Sequence, residues 1–340
     1  MVPELEAFLR ERGATEADID QAEAEGWLPL LAFDRVLALG TPRYDAAALA
    51  DRAGSDVQTA RTLWRSLGFP DGLAGRPVFS DGDVEALRLA LRRAERARGR
   101  LAHQTKIISS SLARIAAVEA EVGEMALAEL RASGLPEDEV ALRFVERMDW
   151  IGLQSLIDYV HRVQLRAAIW RRLGTAAADV AVPDVGIGFA DLSGYSALSS
   201  ELEPDALDAL LDRWEDLAYD LVAAAGASVV KTVGDEVMFA GPPVTVARVA
   251  CELSARAAAA AGLPDVRVGV ACGPVLAREG DYYGRVVNVA SRLAELAPPQ
   301  VVLADEALAA AVGAEPGLVA ESVGPHHLRG IGTVEVSRLR

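Results

Sequence analysis

The sequence predicts an all-α amino-terminal half followed by a mixed α/β carboxy-terminal half. Three observations predict this. Residues 1–175 carry apolar side chains at helical spacing almost throughout. A small, apolar, uncapped stretch, Gly174-Thr-Ala-Ala-Ala-Asp-Val-Ala-Val-Pro183, then interrupts the pattern. Beyond it the period alternates between strand and helix, with one obvious hairpin, as in a mixed sheet. The 340 residues suffice for two domains with separate cores, with expected bounds 1–173, linker 174–183, and 184–340.

Composition excludes several classes. With 51% apolar residues the chain is globular rather than disordered. A formal charge of −16 argues against a general nucleic-acid or anionic-membrane surface, which needs a basic face. The acidic start, Met1-Val-Pro-Glu-Leu-Glu, shows no signal peptide, and no uncharged apolar run is long enough to span a bilayer, so a cytoplasmic location is expected. Cys251 and Cys272 read as small core residues with no disulfide framework or metal-ligand spacing. Of the 34 basic residues only Lys106 and Lys231 are lysines, and Asn288 is the sole asparagine, so Lys231 and Asn288 stand out against the bias.

In the first half, residues 45–53 and 56–67 form two short amphipathic segments split by Gly54-Ser55. They read as a helix-turn-helix pair. The second carries only Arg61 and Arg65 as cations, too few for a DNA reader, so helical packing is the expected role. Ser80-Asp-Gly-Asp83 is a capping pattern opening a helical stretch to Arg131, with a break expected at 105–111. After Gly134-Leu-Pro136, helix continues over 137–172. Its Met148, Trp150, Tyr159 and Trp170 read as core or dimer interface rather than a cofactor box. His103 and His161 are candidate pH sensors because histidine as a residue type changes charge near neutrality, although a lone helical histidine is usually structural.

In the second half, strands are expected at 185–190, 266–271 and 300–303, helices at 204–225, 245–261, 288–297 and 305–311, and a hairpin at 228–240. Three patches carry chemistry. In Phe189-Ala-Asp191-Leu-Ser-Gly194-Tyr-Ser196, a strand-end acid can hold a metal while the backbone amides of Leu192, Ser193, Gly194 and Tyr195 face phosphate oxygens; a simple cap is the plainer alternative. In Lys231-Thr-Val-Gly-Asp-Glu-Val-Met238, Gly234 permits a tight turn that presents Lys231 and Asp235 to a ligand, or is ordinary turn chemistry. Together Asp191 and Asp235 suit a two-metal phosphoryl site. In Gly280-Asp-Tyr-Tyr-Gly-Arg-Val-Val-Asn288-Val-Ala-Ser-Arg292, Asn288 and Arg292 share one helix face, with Asp281 before the glycine turn.

In this order the three patches resemble the catalytic domain of class III nucleotidyl cyclases, over residues 183–340. The resemblance implies a ferredoxin-like α/β fold in which Asp191 and Asp235 bind two Mg²⁺ or Mn²⁺. It implies that Lys231 and Asp281 read the purine, Asn288 orients the ribose and Arg292 stabilises the transition state. Arg329, in Leu328-Arg-Gly330, sits where the family often has a basic residue for the terminal phosphates. An Asp acceptor beside a Lys donor matches the N6 amino group and N1 of adenine, whereas guanine reverses the demand. The implied reaction converts ATP to 3′,5′-cyclic AMP and pyrophosphate in a homodimer with shared active sites. Pro274 departs from the pattern, where some relatives have a phosphate-contacting arginine; either Arg278 or Arg285 compensates or triphosphate affinity is low.

The helical half looks more loosely like the regulatory domain preceding some bacterial soluble cyclases, from its character, its position and the stretch Trp64-Arg-Ser-Leu-Gly-Phe-Pro-Asp71. That resemblance implies pH regulation, with His161, His326 or His327 as titrating candidates, and a fatty acid as a possible ligand. A turnover-less nucleotide-binding regulator, a diguanylate cyclase and a DNA-binding effector are the competing readings. The intact six-residue set opposes the first, and Asn288 with Arg292 has no place in the second.

Overall fold

The structure, a computed structural model, describes residues 1–66, 79–96, 101–176, 184–278, 280–313 and 315–340. The chain divides into two compact units, Met1–Ile169 and Trp170–Arg340. The stretch expected as linker begins inside a helix, which continues to Ala176, and residues 177–183 lie outside the described residues.

The first unit is helical: α1 (Pro3–Glu11), α2 (Glu16–Glu25), α3 (Leu28–Leu37), α4 (Ala46–Ala53), α5 (Val57–Ser66), α6 (Asp81–Arg96), α7 (Leu101–Ala132), α8 (Glu137–Met148) and the start of α9 (Trp150–Ala176). Side-chain caps set several of their starts. Thr15 and Asp18 exchange hydrogen bonds with each other's backbone amides at the head of α2, and Ser80 with Asp83 does the same at α6. One core gathers Leu9, Ala22, Leu28 and Ala141; another joins α4, α5 and α6 around Ala50, Ala60 and Val84. Phe79 closes the second core, paired with Tyr44 and meeting Trp64 edge-on at 5.0 Å. The cavity beside it measures about 30 Å³.

One helical expectation is corrected. No break occurs at 105–111, because α7 runs through it and Ser110 Oγ donates to the Ile107 carbonyl at 3.1 Å, folding its polarity into the helix. The helical region expected over 137–172 is made of two helices divided at Asp149, which adopts a left-handed φ of 37° and accepts from the Gly152 amide. Tyr159 and Trp170 are 65% and 69% exposed, so neither is core of this chain. The part of the 64–71 stretch beyond Ser66 lies outside the described residues.

The second unit is a mixed sheet with helices on both faces. Its elements are β1 (Val185–Leu192), α10 (Tyr195–Glu201), α11 (Pro204–Ala224), β2 (Ser228–Val233), β3 (Glu236–Gly241), α12 (Pro243–Ala259), β4 (Val266–Gly273), β5 (Leu276–Arg278), β6 (Asp281–Tyr283), α13 (Arg285–Leu296), β7 (Val302–Asp305), α14 (Glu306–Val312), β8 (Ala320–Leu328) and β9 (Gly332–Leu339). Seven strands lie in the order β2-β3-β1-β4-β7-β9-β8, antiparallel except for β4 with β7, and β5-β6 form a separate ribbon. Among the described residues no helix is long and apolar enough to cross a membrane.

Strand alternation sorts the core into two faces. Ala190, Leu192, Val266, Val268, Val270 and Phe239 pack with residues of α11, α12 and α14, around the fully buried Trp214. Ile187, Phe189, Met238 and Ala271 pack on the other face with Val289, Ala290 and Leu293 of α13. Gly269 lies opposite that helix. A Cβ there would stand 2.1 Å from the Ala294 nitrogen and 2.2 Å from the Ala290 oxygen, so α13 rests directly on the strand backbone.

Candidate active site

The β2–β3 hairpin turns through Gly234 and Asp235 between paired Val233 and Glu236, with Gly234 at φ 62°, where glycine has no Cβ to clash. Its register carries a bulge. Val229 lies opposite Phe239 and Lys231 opposite Met238, leaving Val230 as the extra residue. Phe239 belongs to the α11/α12/α14 face and Met238 to the α13 face. The extra residue therefore moves Lys231 onto the α13 face; simple alternation would have placed it on the other. There Lys231 Nζ meets Asp281 Oδ2, at the start of β6, at 2.5 Å. With side chains 42% and 22% exposed, such a pair adds at most about 1 kcal/mol to stability, so it is no staple of the fold.

Asp191 ends β1 on the same face, beside the Asp235 turn. Trp214 Nε1–H donates to the Asp235 carbonyl at 2.8 Å and the Leu192 amide to its Oδ2 at 3.2 Å, fixing the turn against β1. Burial, followed by the hydrogen bond and negative charge of Asp191, pushes the Asp235 carboxyl up to about 7. Asp191 has a second partner that the sequence reading missed. Arg267, directly opposite on β4, donates its Nε–H to Asp191 Oδ2 at 2.8 Å and a terminal N–H to the same oxygen. Glu236 is the other missed member, its acidity weakened by burial first and then by Asp191 and Glu295, with Lys231 and Arg267 opposing. A lone arginine within the otherwise apolar run Val266 to Cys272 was the available signal for Arg267.

The third patch lies on α13. Asn288, Ser291 and Arg292 line a cleft of about 230 Å³ with Arg329, Gly330 and Ile331 from the β8–β9 turn. Arg285 donates from Nη1 to the Ile331 carbonyl at 3.1 Å and ties that turn to the start of α13. Arg292 is also paired with Glu295 one turn on. Asp191, Asp235, Lys231 and Asp281 do not line this cleft. Of the four amides expected to face phosphate, Leu192 donates to Asp235 and Ser193 to the Asp265 carbonyl at 2.7 Å, so both are engaged within the chain. Ser193 Oγ is buried without a hydrogen-bond partner.

The carboxylate pair suits a hard divalent cation: burial first and then the neighbouring Asp191 raise Asp235, and a cation offsets both. Among the described residues no group of three or more His, Cys, Asp or Glu side chains is placed to hold a metal ion.

Residues 179–339 match the family described as the adenylate and guanylate cyclase catalytic domain. An adenylate cyclase of Streptomyces coelicolor is 35% identical over 280 residues, covering 80% of this chain and 73% of its own length. A pH-sensitive adenylate cyclase of Mycobacterium tuberculosis is 35% identical over 49% of this chain and 44% of its own. The crystal structure of an adenylyl cyclase from P. aeruginosa covers 46% of this chain and 93% of its own length, at 21% identity and a TM-score of 0.41.

Proposed function

Because this chain belongs to the adenylate and guanylate cyclase family, we propose that it is an adenylate cyclase converting ATP to 3′,5′-cyclic AMP and pyrophosphate. The observation that carries the choice of ATP is the contact of Lys231 with Asp281. An ammonium donor beside a carboxylate acceptor fits N1 and the N6 amino group of adenine; guanine, with a carbonyl at C6 and a proton on N1, meets each with the wrong partner.

Asp191 and Asp235 would hold two Mg²⁺ or Mn²⁺, which would supply charge neutralisation on the triphosphate and acidification of the ribose 3′ hydroxyl. The remaining work belongs to the chain. Asn288 orients the ribose for in-line attack of the 3′ oxygen on the α-phosphorus, and Arg292 meets the charge that develops on the α-phosphate oxygens. Arg329 receives the terminal phosphates, its turn steadied by Arg285. With position 274 a proline, Arg329 supplies phosphate charge that this position does not.

The site is shared between two copies of the chain. Support comes from the Asn288–Arg292–Arg329 cleft, which the proposed metal ligands Asp191 and Asp235 do not line within one chain. A C2 dimer brings complementary sets together twice. The helical unit is assigned a regulatory role, and the similarity to a pH-sensitive cyclase supports pH as a signal.

Mixing tests both readings. Asp235→Ala and Arg292→Ala chains each fail to form cyclic AMP, and the mixture regains part of the wild-type rate through one intact site per mixed dimer. A wild-type chain that forms no cyclic AMP overturns the activity. An active wild type whose mixed variants stay silent overturns the shared site.

A further inference from the structure

The sequence reading gave Arg267 no role, yet it makes the closest contacts to a proposed metal ligand. It projects from β4 between the fully buried Val266 and Val268, onto the face that carries Asp191, and both of its donors converge on one oxygen, Asp191 Oδ2. Asp191 is 15% and Arg267 34% exposed, so the pair is sheltered more than a surface bridge. A guanidinium and a divalent cation cannot share that oxygen without strong like-charge repulsion. A second acceptor is at hand, because Arg267 also lies within electrostatic reach of the half-buried Glu236 carboxylate.

We propose that Arg267 is the resident cation of the carboxylate pair: it holds Asp191 while no metal is bound and is displaced from Asp191, towards Glu236, as the divalent ion enters. The inference rests on the reading of Asp191 as a metal ligand. Arg267 is then a positioning residue. It keeps Asp191 oriented and compensated in the empty site, and competition with it sets how much metal binds before nucleotide arrives. Nucleotide phosphates bring negative charge and tip the exchange towards metal.

The test is Mn²⁺ binding to the full chain without nucleotide, read by electron paramagnetic resonance of the free ion. Removing one positive charge a few ångströms from a divalent ion in a partly solvated site tightens binding roughly tenfold or more, so Arg267→Gln binds Mn²⁺ at least about tenfold more tightly than wild type. Arg267→Lys keeps the charge and stays within about twofold of wild type. An Arg267→Gln affinity equal to or weaker than wild type overturns the proposal, as does Arg267→Lys tightening as much as Arg267→Gln. Asp191→Asn separates the two levels: if it binds Mn²⁺ as wild type does, the reading of Asp191 as a ligand fails, whatever Arg267 does.

A second measurement needs no neutral variant. The Arg267 Nε–H resonance, assigned by its absence in Arg267→Lys, is protected from solvent exchange in metal-free wild type and loses that protection as Mg²⁺ is added. Protection retained at saturating Mg²⁺ overturns the displacement.

Discussion

Lys231 and Asp281, fifty positions apart in sequence, meet at 2.5 Å because a single extra residue at Val230 turns the hairpin strand onto the α13 face. The pair is too exposed to matter much for stability, and under the proposed function it reads the adenine. Lys231→Ala and Asp281→Ala each lower kcat/KM for ATP by about 10- to 100-fold, corresponding to roughly 1.5–3 kcal/mol for one charge-assisted hydrogen bond. Both leave the unfolding free energy within about 1 kcal/mol of wild type. Steady-state kinetics beside denaturant unfolding check this, and a variant that loses stability while keeping its selectivity for ATP contradicts it.

The weakened acidity of Asp235 makes the metal-free protein sensitive to pH. Its carboxyl titrates near 7 in the fold against 3.8 ordinarily, so between those values the folded state binds more protons than the unfolded one. Stability from this group is fully present below the ordinary value and is lost as pH rises through 7. Asp235→Asn removes the loss. In chelator, the melting temperature of the variant gains on wild type from pH 4 to 7 and then runs parallel; a difference that stays flat across that range contradicts the account.

Trp214 is fully buried in α11 and reaches across to the Asp235 carbonyl at 2.8 Å. Trp214→Phe retains most of the apolar contact but leaves that carbonyl without its donor, costing about 1–3 kcal/mol of stability. Activity falls with it, because the turn bearing Asp235 loses its anchor. Calorimetry and cyclic AMP formation are to be compared in the same preparation.

Gly269 sets the seat of α13. Gly269→Ala drives a methyl group into the backbone at Ala290 and Ala294, and overpacking of this kind costs about 1–3 kcal/mol. The helix must lift, and Asn288 and Arg292 move with it. The expected outcome is a loss of kcat larger than that of a substitution of equal stability cost on the α11/α12/α14 face, such as Val249→Ala.

Much of this was legible in the sequence because it follows from local periodicity. The hairpin, α11 and α12 lie close to their expected places, and Asn288 and Arg292 share one face because the spacing of four fixes it. What escaped depends on neighbours distant in sequence. The terminal pair β8 and β9 is polar, and β8 contains Pro325 and two histidines, so its strand character comes from pairing at the sheet edge rather than from composition. The bulge at Val230 is visible only against its partner strand. Arg267 gave a faint signal, since nothing local tells a strand arginine that neutralises a carboxylate from one that meets solvent.

The central claim is tested most directly by the products that purified full-length protein forms from ATP and from GTP with Mn²⁺. Cyclic AMP from ATP, little cyclic GMP from GTP, and no product from Asp235→Ala is the predicted result. Cyclic GMP as the main product contradicts the reading of Lys231 and Asp281. No cyclic nucleotide from either substrate contradicts the enzyme itself.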